Sequence, residues 1–259
     1  MSRFGNLEFS SDSESEFSEQ NLVKDEKFYF AEARTAFEQA HFEQALRSYS
    51  KVLEFNPQNP AAWTGQVRAL IELGEFREAK LWADKALERF AQEPELLAAK
   101  AVALGRSGDL QGALAFSDAS IEERGETPYI WLARGDVLLA HAEKRADYCF
   151  ERALALAPKD WFIAWLAARI RFFYQQFMLA LKLAQHAVEW NPGHSALWVL
   201  LGLCQREVGL VGPAKRSFAQ ALQLSPRCRE AELELVKLSH AGLFSQVAGW
   251  WRERFQRGI

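Results

Sequence analysis

Five histidines, three cysteines and 34 acidic residues are the side chains of this 259-residue sequence that could carry catalysis or hold a metal. Acid–base work needs two such groups converging on one point, and a metal needs three or four at fixed spacing. Neither pattern is present. His41, His141, His186, His194 and His240 are scattered, and His186 and His194 stand eight apart with Pro192 between them, so they share no helical face. Cys149, Cys204 and Cys228 come no closer than 24 positions, which excludes a CxxC site and a disulfide framework. Cys149 and Cys204 sit in apolar stretches and read as small buried hydrophobes. Cys228, between Arg227 and Arg229, has neighbours that favour a thiolate but no histidine partner, and reads as a loop cysteine. There is no phosphate-binding loop, no dinucleotide glycine fingerprint and no HExxH. The expectation is no catalytic residue, no metal and no cofactor.

The repertoire that remains is recognition. A net charge of −3 argues against a dedicated nucleic-acid binder, which shows a basic excess. Apolar runs such as Ala196–Cys204 are too short to span a bilayer, and the N-terminus has no apolar core that could serve as a secretory signal. With 49% hydrophobic residues, the chain reads as a soluble cytoplasmic protein with a sizeable core.

The elements that position any binding surface are repeated. Ala45, Ala79, Ala113, Ala146, Ala180, Ala214 and Ala248 are spaced by 34, 34, 33, 34, 34 and 34 residues. A second column of mostly small residues runs through Ala33, Val67, Ala101, Gly135, Ala168 and Gly202, and Pro158, Pro192 and Pro226 form a third with Pro57. Between the second and first columns the distance is 12 in five units and 11 from Gly135 to Ala146, so one residue is missing near the internal turn of the fourth unit. Each unit reads as two helices. In the sixth, Leu197, Trp198, Leu200 and Leu201 share helical spacing, Gly209 turns the chain, and Ala214, Phe218, Ala221 and Leu222 form a second stripe that Pro226 ends. Gly74 and Gly108 mark the same turn in units two and three. One unit cannot bury its apolar face alone, so neighbours must stack.

The pattern resembles the tetratricopeptide repeat: Trp198, Leu201-Gly202, Ala214, Phe218 and Pro226 in the sixth unit, Ala33, Ala45, Tyr49 and Pro57 in the first, Trp63 and Ala79 in the second. The resemblance implies an all-α, right-handed superhelical solenoid of antiparallel helix pairs, with six clear repeats and a seventh degenerate or capping pair. The expected organisation is an acidic, serine-rich, disordered tail over 1–25 and a solenoid over 26–259, with repeats at 26–59, 60–93, 94–126, 127–160, 161–194, 195–228 and 229–259. Some positions depart from the family's habit. Arg171 and Gln205 fill a column of large apolar residues, Ser117 and Ser120 interrupt the third unit's second helix, and Gly125 stands where proline is usual.

A solenoid of this kind offers a concave surface lined by the first helix of each pair. Projected onto this sequence, it places Phe30, Arg34, Arg68, Arg106, Asp136, Trp165, Arg169, Phe172 and Arg206 in the groove, with Phe37, Thr64, Ile71, Val102, Leu132, Leu139, Phe173, Val199 and Leu203 beside them. Phe172, Phe173 and Tyr174 are consecutive, so at least one belongs to the core. Arginine forks suit carboxylates and aromatics suit apolar anchors. The expected partner is therefore a protein or peptide with acidic and large apolar residues, and the expected function a non-enzymatic scaffold or adaptor, as an assembly factor or co-chaperone. The asparagines and lysines of the family's chaperone-binding carboxylate clamp are missing from these positions. Alternatives are a helical-repeat RNA binder and a peripheral membrane assembly factor.

The two ends supply those alternatives with candidates. Residues 1–26 hold seven acidic residues against Arg3 and Lys24, a local net charge of −5, together with Phe4, Leu7, Phe9 and Phe17. They read as a solvated leader or as a docking peptide for the arginine-lined groove, with Ser11, Ser13 and Ser15 as phosphate acceptors. The C-terminal stretch carries Trp250, Trp251 and Phe255 with Arg252, Arg254 and Arg257, suited to an anionic membrane surface or to a last helix with one wet face.

Overall fold

The computed structural model describes residues 24–123 and 126–239. Residues 1–23 of the acidic leader, Gly125, His240, Ala248 and the aromatic-basic C-terminus lie outside those residues. Twelve helices follow one another with no strand among the described residues: α1 (Glu26–Glu38), α2 (Phe42–Phe55), α3 (Pro60–Glu72), α4 (Phe76–Leu87), α5 (Pro94–Ser107), α6 (Leu110–Glu122), α7 (Pro128–Ala140), α8 (Ala146–Leu156), α9 (Trp161–Phe173), α10 (Phe177–Trp190), α11 (Ser195–Glu207) and α12 (Val211–Leu224). A further helix, α13, begins at 229 and is described to 239. Each odd helix packs on the even helix that follows, and each pair on the next. The fold is an all-α solenoid of helix pairs.

Local sequence sets the boundaries. Asp25, Asn59, Asp109, Thr127 and Asp160 cap α1, α3, α6, α7 and α9, each accepting an amide hydrogen bond from the first turn. Pro60, Pro94 and Pro128 take the first helical position, where a missing N–H costs nothing. The indoles of Trp63 and Trp198 donate to the carbonyls of Pro57 (2.9 Å) and Pro192 (2.7 Å), fastening a helix to the loop that precedes it.

Among the described residues, the internal turns of the six units use the same device. Ala40, Gly74, Gly108, Ala142, Gln175 and Gly209 all adopt positive φ, between 55° and 94°. The next amide then reaches back to the helix just ended, as in His41 N to Ala36 O (2.9 Å) and Glu75 N to Leu70 O (3.0 Å). Glycine takes this conformation freely, whereas Ala40, Ala142 and Gln175 hold it under strain. These six positions also locate the missing residue. Gly135 to Ala142 keeps the spacing of the other units, so the deletion falls between Ala142 and Ala146. In consequence α8 starts at its column alanine, without the preceding turn that α2, α4, α6, α10 and α12 have, and with 11 residues it is the shortest of α1–α12.

The columns are matched in size. Where the first helix offers glycine, the second offers phenylalanine: a Cβ on Gly135 would stand 2.9 Å from Phe150, and one on Gly202 would stand 2.7 Å from Phe218. Units two, three and five pair Val67, Ala101 and Ala168 with Ala83, Ser117 and Ala184 at the same spacing. Phe218 is fully buried, worth about 2–3 kcal/mol relative to an exposed ring.

The departures at Arg171, Gln205, Ser117 and Ser120 are polar insertions that find partners within the chain, with the buried Arg171 Nε left without an acceptor. Arg171 is buried with its guanidinium 4.1 Å over the Phe150 ring and 2.6 Å from Asp147, so a flat cation fills the space of an apolar side chain. Gln205 accepts from Ser217 at 2.7 Å. Ser120 returns its hydroxyl to the Ser117 carbonyl at 2.8 Å, and Arg134 donates to Ser117.

Candidate binding groove

The solenoid coils tightly enough for its first units to meet its fifth. The helix α9, WFIAWLAARIRFF, is apolar on nearly all sides and must be covered all round. The first unit supplies part of that cover: Phe37 meets Phe162 (6.2 Å) and Phe42 stacks on Trp165 (6.4 Å). A salt bridge adds to the contact, with Arg169 Nε donating to Glu72 Oε2 at 2.7 Å from 97 residues away while the guanidinium lies 4.7 Å over Phe42. The concave surface is thereby divided.

The nine groove residues expected from the sequence separate into three places. Phe30, Arg34 and Arg68 line an N-terminal mouth of about 300 Å3, with Phe37, Tyr49 and Phe162. Arg34 is exposed, and Arg68 is held over the rings of Tyr129 (3.8 Å) and Phe37 (5.2 Å). Trp165 and Asp136, each 1% exposed, are interior. Trp165 is packed between Phe42 and Phe162, so its expected place in an open groove is corrected to the core. Asp136 is consumed by two donors, the guanidinium of Arg106 (2.6 Å) and the Tyr174 hydroxyl (2.8 Å), and is corrected in the same way. Arg106, Arg169, Phe172 and Arg206 come together in a C-terminal cleft of about 810 Å3 between the α3–α4 turn and units five and six.

That cleft combines an apolar wall with paired charges. Phe173 is 45% exposed, edge-on to Phe76 and 4.3 Å beneath Arg106, whereas Phe172 is half-buried against Phe177. Leu200 and Leu203 complete the wall. Arg206 is bridged to both Glu207 and Glu234. The arginine forks are not vacant: Arg106, Arg169 and Arg206 each already meet a carboxylate of this chain, and Arg169 and Arg206 keep an exposed edge. Burial pushes the Glu72 carboxyl up, but the guanidinia of Arg169, Arg106 and Arg68 outweigh it and hold it below the ordinary carboxylate range. Burial and the neighbouring Asp136 raise the Tyr174 phenol, which remains a neutral hydrogen-bond donor.

Sequence reading missed Glu72 and Glu207, and set Phe173 beside Phe172 without choosing between them. All three lie one helical turn beyond the groove positions Arg68, Leu203 and Arg169, on the same face. Extending the inner stripe by four residues finds them.

Burial pushes the Cys204 thiol up to about 12 and raises that of Cys149. His194, tilted against Trp161 at 4.8 Å, is held below its ordinary value by burial and then by His41. Among the described residues no three metal-ligating side chains converge, and no helix is long and apolar enough to cross a membrane.

This geometry defines a class. The tetratricopeptide repeat family model matches residues 36–103, so that stretch carries tetratricopeptide repeats, and the helix pairs on either side repeat the same arrangement. No curated protein sequence matches it. Among solved structures it is similar to the human IFIT1 dimer with m7Gppp-AAAA, with 19% identity, a TM-score of 0.52, and coverage of 89% of this chain and 58% of that one. A tetratricopeptide repeat protein from Parabacteroides merdae gives 14% identity and a TM-score of 0.51, with coverage of 90% and 93%. A chain of the APC/C hetero-tetramer Cut9–Hcn1 gives 16% identity and a TM-score of 0.49 over 87% of this chain and 51% of that one. The chain thus spans less than two thirds of the length of IFIT1 and of the Cut9–Hcn1 chain. At these identities the likeness to IFIT1 and to the Parabacteroides merdae protein is one of fold.

Proposed function

We propose that the chain is a non-enzymatic protein-interaction module, a scaffold or adaptor working in the cytoplasm, that holds a segment of a partner protein in the C-terminal cleft. One observation carries this reading. An opening of about 810 Å3 is walled by Phe76, Phe172, Phe173, Leu200 and Leu203, and one of those aromatic rings is 45% exposed. Large apolar side chains of a partner would enter against these rings, where desolvated aromatic contacts supply most of the energy of a small interface. The partner's carboxylates would meet the outward edges of Arg169 and Arg206, whose side chains keep 26% and 29% exposure. Three free cysteines suit a reducing compartment. A polyanion fits less well, because Glu72, Asp136, Glu207 and Glu234 already neutralise the inner guanidinia, and a single-stranded nucleic acid draws its affinity from unpaired cations.

Selection of displayed random peptides against the immobilised full chain tests the reading. Enriched peptides are expected to share large apolar residues flanked by carboxylates and to compete for one site. Selection of no peptide, with salt-sensitive binding of single-stranded RNA instead, would replace it.

A further inference from the structure

A second cleft of about 280 Å3, adjoining the larger one, opens between the internal turn of the first unit and the loop joining α12 to α13. Val199, Leu200 and Leu203 of α11 form its floor, and His41, Arg227 and Arg229 stand on its rim. Its charge differs from that of the larger cleft. Arg227 and Arg229 are exposed, and neither enters an ion pair with a described residue. Glu230 is the one carboxylate among the residues that line it.

We propose that this cleft is a docking site for the chain's own residues 8–19, EFSSDSESEFSE. Composition, sign and reach all favour this occupant. The stretch brings Glu8, Asp12, Glu14, Glu16 and Glu19 to the two arginines, and Phe9 and Phe17 to the leucine floor. The other segment outside the described residues, 240–259, carries Arg252, Arg254 and Arg257 against Glu253, and like charge turns it away from the same rim. From Glu26 the docking segment must run back along α1, whose 13 residues span about 20 Å, to reach the turn at Ala40–His41. Six extended residues cover about 20 Å, which brings Phe17 to the edge of the cleft and leaves the preceding residues to lie along it. Arg169, Leu200, Leu203 and Glu230 border both clefts, so a docked segment would compete with a partner in the larger one. The docking itself requires no partner, and its test is independent of the partner reading.

The test places a photo-crosslinking benzoylphenylalanine at position 17 of the full chain, followed by irradiation and peptide mapping. Cross-links are expected within one molecule, to residues 196–203 or 225–230. The variant Arg227→Glu with Arg229→Glu, confirmed as folded by circular dichroism, should lower the yield by about tenfold. Glu14→Lys with Glu16→Lys lies outside the described solenoid and should give the same loss. Restoration when both pairs are reversed together would show that the contact is between these charges. Cross-links to the N-terminal mouth around Phe30 and Arg34, cross-links only between molecules, or a yield indifferent to both reversals would overturn the proposal.

Discussion

Arg169 of the fifth unit and Glu72 of the second are joined across the inside of the solenoid, Nε to Oε2 at 2.7 Å, with the guanidinium stacked on Phe42 of the first. Consecutive units touch because they are neighbours, but this bond fixes how tightly the superhelix closes. Glu72→Gln keeps the shape and removes the charge. The expected result is a loss of about 1–2 kcal/mol in urea unfolding, with partial opening visible as a larger radius of gyration in solution scattering. An unchanged radius and stability would make the bridge incidental.

The same carboxylate makes stability depend on acid. The folded state depresses the Glu72 pKa below its ordinary 4.5, so its contribution is complete above that value and is lost as pH falls through the lower folded value. His194 is depressed below its ordinary 6.5, and its contribution begins to fade earlier, as pH drops below 6.5. Urea midpoints measured from pH 7.5 to 3.5 should fall in both windows. His194→Gln should flatten the upper window and Glu72→Gln the lower.

Asp136 is buried and held by two donors, the Arg106 guanidinium and the Tyr174 hydroxyl. Asp136→Leu leaves the Arg106 cation, whose side chain is 6% exposed, without its partner, and should cost about 3–5 kcal/mol. Adding Arg106→Met should return most of that loss, since replacing both charges by apolar groups removes the desolvation penalty as well as the pair. Thermal unfolding of the single and double variants is the measurement.

Gly202 and Phe218 fit only as a pair. Gly202→Ala sets a methyl 2.7 Å from the ring and should destabilise by about 1–3 kcal/mol. Phe218→Leu in the same chain should recover part of this by giving the methyl room.

The strained turns make the opposite prediction. Ala142→Gly and Gln175→Gly, at φ of 55° and 58°, should each raise stability by about 1 kcal/mol, despite the greater freedom glycine has in the unfolded chain. Denaturant midpoints would read the gain directly.

The fold was legible because its determinants are local and recur. Ala45, Ala79 and Ala113 announce the period, Gly74 and Gly209 the turns, and the short step from Gly135 to Ala146 locates a deletion to within a few residues. The groove was less legible because its composition depends on closure. Nothing in the spacing of Arg169 says that Glu72 will face it, and Trp165 reads as an inner-face anchor until Phe42 and Phe162 cover it. A repeat register gives the direction in which a side chain points. What that side chain meets there is settled by contacts between units three and four apart, which sequence period does not encode.

The most direct test of the account is the affinity of a selected peptide for the full chain and for Phe173→Asp, a change at an exposed ring that leaves the core intact. The account predicts binding at least about tenfold weaker in the variant, with unchanged circular dichroism, because a carboxylate would replace the aromatic wall of the cleft. Equal affinity for the two would contradict it and move the partner site away from the C-terminal cleft.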